Sequence, residues 1–227
     1  MARIICFDIE TTGLDFEKGE KIIEIGAVEI IDGQPSGKTF QSYVNPDGRL
    51  IPASSYNIHK ISNAFLTDKP PFKDVARRFL DFAADSPIVA HNGKGFDFPF
   101  INHQLAAEDM PVIAPERQID SMLMAQRKIP DLKSYSLDSL AKYFNIPLDS
   151  RATSHGALVD TEILVKVYLE LDKSADQKTV ADIAREQHEK FLASPKSDGT
   201  FPRRTFTPTE AELAVHKEWI EKNIKKD

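Results

Sequence analysis

The N-terminal run "ARIICFDIE", residues 2–10, is dense in β-branched and aromatic side chains, the make-up of a strand buried along most of its length. Two acids, Asp8 and Glu10, interrupt it two residues apart. Side chains at i and i+2 of a strand point to the same face, so two carboxylates stand together where a core strand ordinarily places Ile or Val. A strand this apolar rarely carries paired acids without a cation to offset their repulsion and desolvation. The fold must therefore present this strand where a cation can reach it.

The rest of the chain supplies a sheet for that strand. "EKIIEIGAVEIIDG" (20–33) and "GKTFQSYVNP" (37–46) read as two more strands with "DGQPSG" as the turn between them, an antiparallel meander of three. "PPFKDVARRFLDFAAD" (70–85) places Val75, Phe79, Leu80 and Phe82 on one helical face. "SPIVAHN" (86–92) is a short apolar strand, and "FDFPFINHQLAAED" (96–109) a helix that tolerates Pro99 only in its first turn. "RQID" (117–120) predicts a last strand, while 136–146 and 153–171 are amphipathic helices. A meander followed by strands alternating with helices implies an α/β fold, a mixed central sheet with helices on its faces.

The 227 residues are 41% hydrophobic, enough for one sizeable domain with an appendage. No run approaches 18 apolar residues, and residues 1–9 lack the pattern of a secretory signal. Cys6 is the only cysteine, so no intramolecular disulfide is expected, and a cytoplasmic location is the default expectation. The net charge of −6 argues mildly against a basic coat for nucleic acid. It leaves room for a nuclease, because clustered acids lower the charge while creating a site for Mg²⁺. The expected domain spans residues 1–172, followed by a polar helical extension (173–193), a Ser/Thr/Pro/Gly-rich linker (194–209) and a C-terminal helix (210–227). In that last segment Thr209 and Glu212 have capping-box spacing, and Leu213, Trp219, Ile220 and Ile224 form a narrow apolar stripe.

Further carboxylates for a metal site must come from elsewhere. Asp97 falls at a strand-to-helix junction, where α/β folds build sites. Asp160 follows His155 by five residues, about 140° apart on a helix, so both reach one site only if His155 lies near or before the helix start. Thr153 and Ser154 are candidate N-caps, and Gly156 permits an unusual backbone. Taken singly, Asp97 also reads as a cap or dipole partner, His155 as a surface or capping histidine, and Asp160 as a solvated face residue.

Together, "FDIETTG" (7–13), "HNGKGFD" (91–97) and "HGALVD" (155–160) resemble, in order and spacing, the three motifs of the DnaQ-like DEDDh 3′-to-5′ exonucleases. The resemblance covers residues 3–171 and implies a ribonuclease-H-like fold. Within the family the likeness is nearest to the epsilon proofreading subunits of bacterial DNA polymerase III, including "NIHKISNAFLTDKPPF" (57–72) and the tail "FTPTEAELAVHKEWIEK". Two departures stand out. Gly93, Lys94 and Gly95 make three residues between "HN" and "FD" where many epsilon subunits have two. Ser54 stands where a substrate-contacting Glu is common.

The resemblance implies two divalent ions, Mg²⁺ or Mn²⁺, held by Asp8, Glu10, Asp97 and Asp160, with His155 as the general base that takes a proton from the attacking water. Asp8, Glu10, Asp160, Thr11, Thr12, His59 and Asn92 would meet the terminal nucleotide, and Phe96 could stack on a base or simply pack. The implied substrates are single-stranded or frayed DNA 3′ ends, and the implied partner is the replicative polymerase subunit, docked through the C-terminal segment. Competing expectations are an RNA 3′-trimming enzyme of the same family, against which "DIETTG" differs from the "DxEMTG" of oligoribonucleases, and a nuclease-silent polymerase-stabilising subunit.

Overall fold

The computed structural model describes residues 2–148 and 156–173. Five strands form one sheet in the order β3-β2-β1-β4-β5. β1 (Arg3–Thr11) lies at its centre, antiparallel to β2 (Ile22–Ile31) and parallel to β4 (Ile88–Ala90). β3 (Gln34–Tyr43) forms one edge and β5 (Gln118–Asp120) the other, parallel to β4. The expected mixed sheet, a meander plus parallel strands, is the observed one.

Strand alternation sends β1 side chains into two cores. Ile5, Phe7 and Ile9 join Val75, Phe79, Phe98 and Phe100 from α3 (Phe72–Ala83) and α4 (Asp97–Ala107). Phe7 sits 5.5 Å from Phe79 and 5.4 Å from Phe98, ring centre to ring centre. On the other face Cys6 packs with α5 (Ser121–Lys128), α6 (Leu137–Tyr143) and α7 (Ala157–Asp172). Burial pushes the Cys6 thiol up, consistent with an inert core residue.

Three local expectations need correction. The β2–β3 turn is Asp32–Gly33 alone, with φ of 49° and 77°, the two positive values of a two-residue hairpin turn. β3 therefore begins at Gln34, and Pro35 is tolerated because β3 is an edge strand. Short helices α1 (Ala53–His59), α2 (Asn63–Leu66) and α5 were not foreseen. The last helix starts at Ala157 with Gly156 as N-cap, not at a Thr153 or Ser154 cap. Those two residues, like His155 and the segments 174–193, 194–209 and 210–227, lie outside the described residues.

Candidate active site

Asp8 and Glu10 stand half-buried on the β1 face that α7 covers, and their partners across the ladder are Gly26 and Glu24 of β2. Gly26 sets how closely the helix approaches. A Cβ there would stand 2.3 Å from the Ala157 carbonyl carbon and the Leu158 nitrogen, so a side chain would push the first turn of α7 off the sheet. The Thr161 hydroxyl lies 2.6 Å from Ala157 O and 3.1 Å from Gly26 O, tying the same turn down. Seated this way, α7 delivers Asp160, 5% exposed. Ligand atoms of Asp8, Glu10 and Asp160 all lie within 4.8 Å of one another. Three hard carboxylate oxygens suit a Mg²⁺- or Mn²⁺-like cation, so the residues fit the divalent-metal dependence of such a site.

Asp97 is placed beside this group rather than in it. It opens α4, is 3% exposed, and accepts a hydrogen bond from the backbone N–H of Ile9, between the two β1 acids. Burial, reinforced by the charge of Asp120, pushes its carboxyl up to about 8, while backbone N–H groups oppose the shift.

The three-residue spacer of the second motif forms a tight turn. Asn92 takes a left-handed φ of 57°, and its carbonyl accepts from Gly95 N and Phe96 N, each at 3.0 Å. A Cβ on Gly93 would come within 2.6 Å of Ala90 Cβ, and one on Gly95 within 2.6 Å of Asn92 Oδ1. Lys94 N donates to Asp120 Oδ2 at 3.0 Å, while Asp120 Oδ1 caps α5 through Met122 N and Leu123 N. Asp120, at the end of β5, thus anchors the spacer through Lys94.

The "TTG" turn is braced from behind. Thr12, fully buried, donates its hydroxyl to Glu20 at 2.5 Å and accepts from Lys21 N at 2.8 Å. Its N–H reaches Lys21 O at 2.8 Å, and its carbonyl accepts from Ser55 Oγ of α1 at 2.9 Å. Arg49 pairs with Glu20 and holds that carboxyl below its usual range, helped by the Thr12 hydroxyl. Thr11 Oγ1 donates to Gly13 O at 2.7 Å. His59, at the end of α1, is 4% exposed, and its Nδ1 accepts from Ile61 N at 3.0 Å. Nε2 therefore carries the ring proton, and it has no partner among the described residues. Burial lowers the His59 pKa, favouring this neutral form. Phe96 packs on the core, its ring centre 5.5 Å from that of Phe100.

One residue of the site was not foreseen. Glu24, 1% exposed, sits opposite Glu10 and accepts from Gln41 Nε2 at 2.7 Å and from Ala157 N at 3.2 Å. Burial, and to a smaller degree the charge of Asp160, pushes its carboxyl up against these hydrogen bonds. An acid in the middle of "KIIEIGAVEI" was the available signal.

The family model described as "RNase_T: Exonuclease" matches residues 5–168. A DNA polymerase III subunit epsilon from Rickettsia prowazekii is 40% identical over 225 residues, 97% of this chain and 96% of that protein. The Escherichia coli K12 protein of the same name is 33% identical, covering 95% of this chain and 91% of its own length. Among solved structures, exonuclease X in complex with 5′ overhanging duplex DNA is 28% identical, with a TM-score of 0.62 over 80% of this chain and 99% of that one. The nuclease domain of 3′hExo, a DEDDh family member bound to rAMP, shares the fold at 17% identity. Its TM-score is 0.65, over 76% of this chain and 92% of that one. The chain belongs to the exonuclease family, in the branch that holds the epsilon-type 3′-to-5′ exonucleases of DNA polymerase III.

Proposed function

We propose that the chain is a two-metal DEDDh exodeoxyribonuclease that removes nucleoside monophosphates from frayed DNA 3′ ends and proofreads for a replicative polymerase. The observation that carries this reading is the approach of Asp8, Glu10 and Asp160 to within 4.8 Å on a central strand, beside the buried Asp97. Polymerase and DNA come from the relatives' names and from the duplex in the exonuclease X complex.

Asp8, Glu10, Asp97 and Asp160 would hold the ions, Mg²⁺ or Mn²⁺. When bound, such ions offset the phosphate charge, ease deprotonation of the attacking water and stabilise the leaving oxygen. Asp97, favoured in its protonated form by burial, would give up that proton as cationic charge arrives. His155 would take the proton of the attacking water, a role its near-neutral intrinsic pKa suits. His59 offers an Nε2–H donor with no partner among the described residues, suited to an acceptor on the terminal nucleotide. Asn92, Thr11 and Thr12 shape the two turns that flank the acids, and Asp8, Glu10 and Asp160 would meet the scissile phosphate through the ions. The stripe of Leu213, Trp219, Ile220 and Ile224 would anchor the C-terminal segment to the polymerase.

Incubating the full chain with 3′-labelled single-stranded DNA, mispaired duplex and RNA, each with Mg²⁺ and with EDTA, tests the reading. Mononucleotide release from DNA, faster at mispaired ends and lost in EDTA, is expected. Preferential trimming of RNA makes it an RNA-processing enzyme, and inertness on all three makes it a silent subunit. Trp219→Ala is expected to spare hydrolysis of short single strands while weakening polymerase association, read by co-elution.

A further inference from the structure

The N-terminus of α7 poses a problem that its own sequence does not solve. The first N–H groups of a helix lack intrahelical acceptors, and the N-cap here is Gly156, whose missing side chain can accept nothing. Ala157, the first helical residue, is fully buried, so water cannot readily serve its N–H. An unpaired buried donor is costly. The acceptor comes from the sheet, as Glu24 Oε2 lies 3.2 Å from Ala157 N. Its other oxygen is held by Gln41 Nε2 of the edge strand at 2.7 Å, which fixes the carboxylate's rotation. A fixed acid at a helix N-terminus also complements the macrodipole.

We propose that Glu24 is a positioning residue for the nuclease, capping α7 from the sheet and so setting where Asp160 meets Asp8 and Glu10. Asp160 lies in the turn that Glu24 caps, its N–H bonded to Gly156 O at 2.9 Å. Glu24 also faces Glu10 across the β1–β2 ladder, so one side chain registers the strand and the helix that bring the acids together. Gly26, two residues along β2, allows the approach that Glu24 orients. The proposal rests on the metal-dependent nuclease reading.

Exchanging the two partners tests it. Glu24→Gln keeps the shape but turns an amide NH₂ toward donors that the carboxylate accepts, so Gln41 or Ala157 loses its acceptor, while the Tyr43 hydroxyl, which also donates to Glu24, can rotate to accept instead. Glu24→Gln with Gln41→Glu restores both hydrogen bonds, with Gln at position 24 accepting from Ala157 N and donating to Glu at position 41. In the full-length protein, Glu24→Gln is expected to lower kcat and weaken Mn²⁺ binding by about 10–100-fold, the range for residues that orient metal ligands. KM for DNA should change little, and the double exchange should recover most of both losses. Calorimetric Mn²⁺ titration reads the acids independently of turnover. A wild-type protein that binds no Mn²⁺ overturns the metal reading, and the proposal with it. A wild type that binds, beside a Glu24→Gln variant with unchanged affinity and kcat, overturns the proposal alone. A variant that only melts lower, or a double exchange that recovers nothing, likewise removes the capping role.

Discussion

Glu24 and Glu29 lie on the same strand, are 1% and 2% exposed, and serve opposite purposes. Glu29 faces the α3 side, where Arg3 Nε reaches it at 2.5 Å, Ser36 Oγ at 2.7 Å and Lys38 Nζ at 3.6 Å. The Ser36 hydroxyl and the Arg3 guanidinium hold its carboxyl below the usual range. Arg3 also donates to Phe82 O, Ala83 O and Ser86 Oγ, so the cluster fastens β1 and β2 to the end of α3. Glu24, on the α7 side, is held by neutral donors, with no Lys or Arg paired to it among the described residues. Its pKa is pushed up rather than down. Burial alone does not reveal what an acid does. The counter-charge does, because an acid met by cations staples the fold, whereas one left to dipoles beside other acids belongs to a site that draws its positive charge from outside.

The largest test of that contrast is Asp8→Ala. Losing a carboxylate from the three-acid cluster should reduce Mg²⁺-dependent cleavage by at least about 10³-fold, beyond the range for residues that merely orient ligands. In EDTA the same substitution should leave the melting temperature unchanged or raised, since it relieves repulsion among acids. Asp97→Ala and Asp160→Ala should reduce cleavage to a similar degree. Near-wild-type cleavage by Asp8→Ala breaks the assignment of the acidic face. His155→Ala comes next, with turnover lowered by about 10²–10⁴-fold and partly restored as pH rises, when hydroxide forms without a protein base. Single-turnover rates and Mn²⁺ titration together check it, because lost metal affinity with turnover retained makes His155 a ligand instead.

The acidic face was legible to the extent that each acid announced itself locally. Asp8 and Glu10 stand out because strand alternation puts both on one face, and Asp160 because of its interval from His155. Glu24 stayed hidden because its partnership with Glu10 depends on register. Residues 12–21 between β1 and β2 are no two-residue hairpin but a turn with a short 3₁₀ segment, Phe16–Lys18, so register could not be counted from the sequence. The β2–β3 turn misled for another reason. Pro35 and Gly37 read as turn residues, yet on an edge strand Pro35 pairs with Ile30 and Gly37 adopts φ of 85° near an irregularity in the ladder. Helix α5 follows β5 without a linker, and eight residues carry little periodicity. Asp120, its cap, therefore went unread as the anchor of Lys94.

A third test separates the two kinds of acid by pH. The Asp97 pKa is raised from 3.8 to about 8 in the fold, and Glu24 shifts in the same direction. Their protonated forms favour the folded state, so that contribution is complete below the unfolded pKa and lost as pH rises through the folded one. Metal-free protein is therefore expected to melt progressively lower from pH 7 to pH 8, above the range in which the lowered pKa of His59 has the opposite sign, with Mg²⁺ reversing the decline. Glu29 has the opposite sign. Its lowered pKa contributes stability above the ordinary carboxylate range that disappears as acid protonates it. Melting curves in EDTA against pH should show both limbs, and a flat profile between pH 7 and pH 8 contradicts the raised pKa of Asp97.

The smallest effect is expected at Glu29→Gln, and it is the sharpest on the comparison. The substitution keeps a carbonyl acceptor for Arg3 or Ser36 and leaves Arg3 its bonds to Phe82 O, Ala83 O and Ser86 Oγ, so no charge is stranded. Arg3 is 30% exposed and Lys38 72%, so solvent already screens much of the attraction. A loss of about 1 kcal/mol follows for one charge-assisted hydrogen bond discounted in this way, or about 2–4 °C in melting temperature for a domain of this size. Because the cluster lies on the α3 side, away from Asp8, Glu10 and Asp160, kcat and the Mg²⁺ midpoint per folded molecule should stay at wild-type values. The acid limb of the melting profile should flatten while the neutral limb, set by Asp97, is retained. If Glu29→Gln instead shifts the Mg²⁺ midpoint as Glu24→Gln is expected to, the two faces of β2 are coupled, and the division between an acid that staples and an acid that positions does not stand.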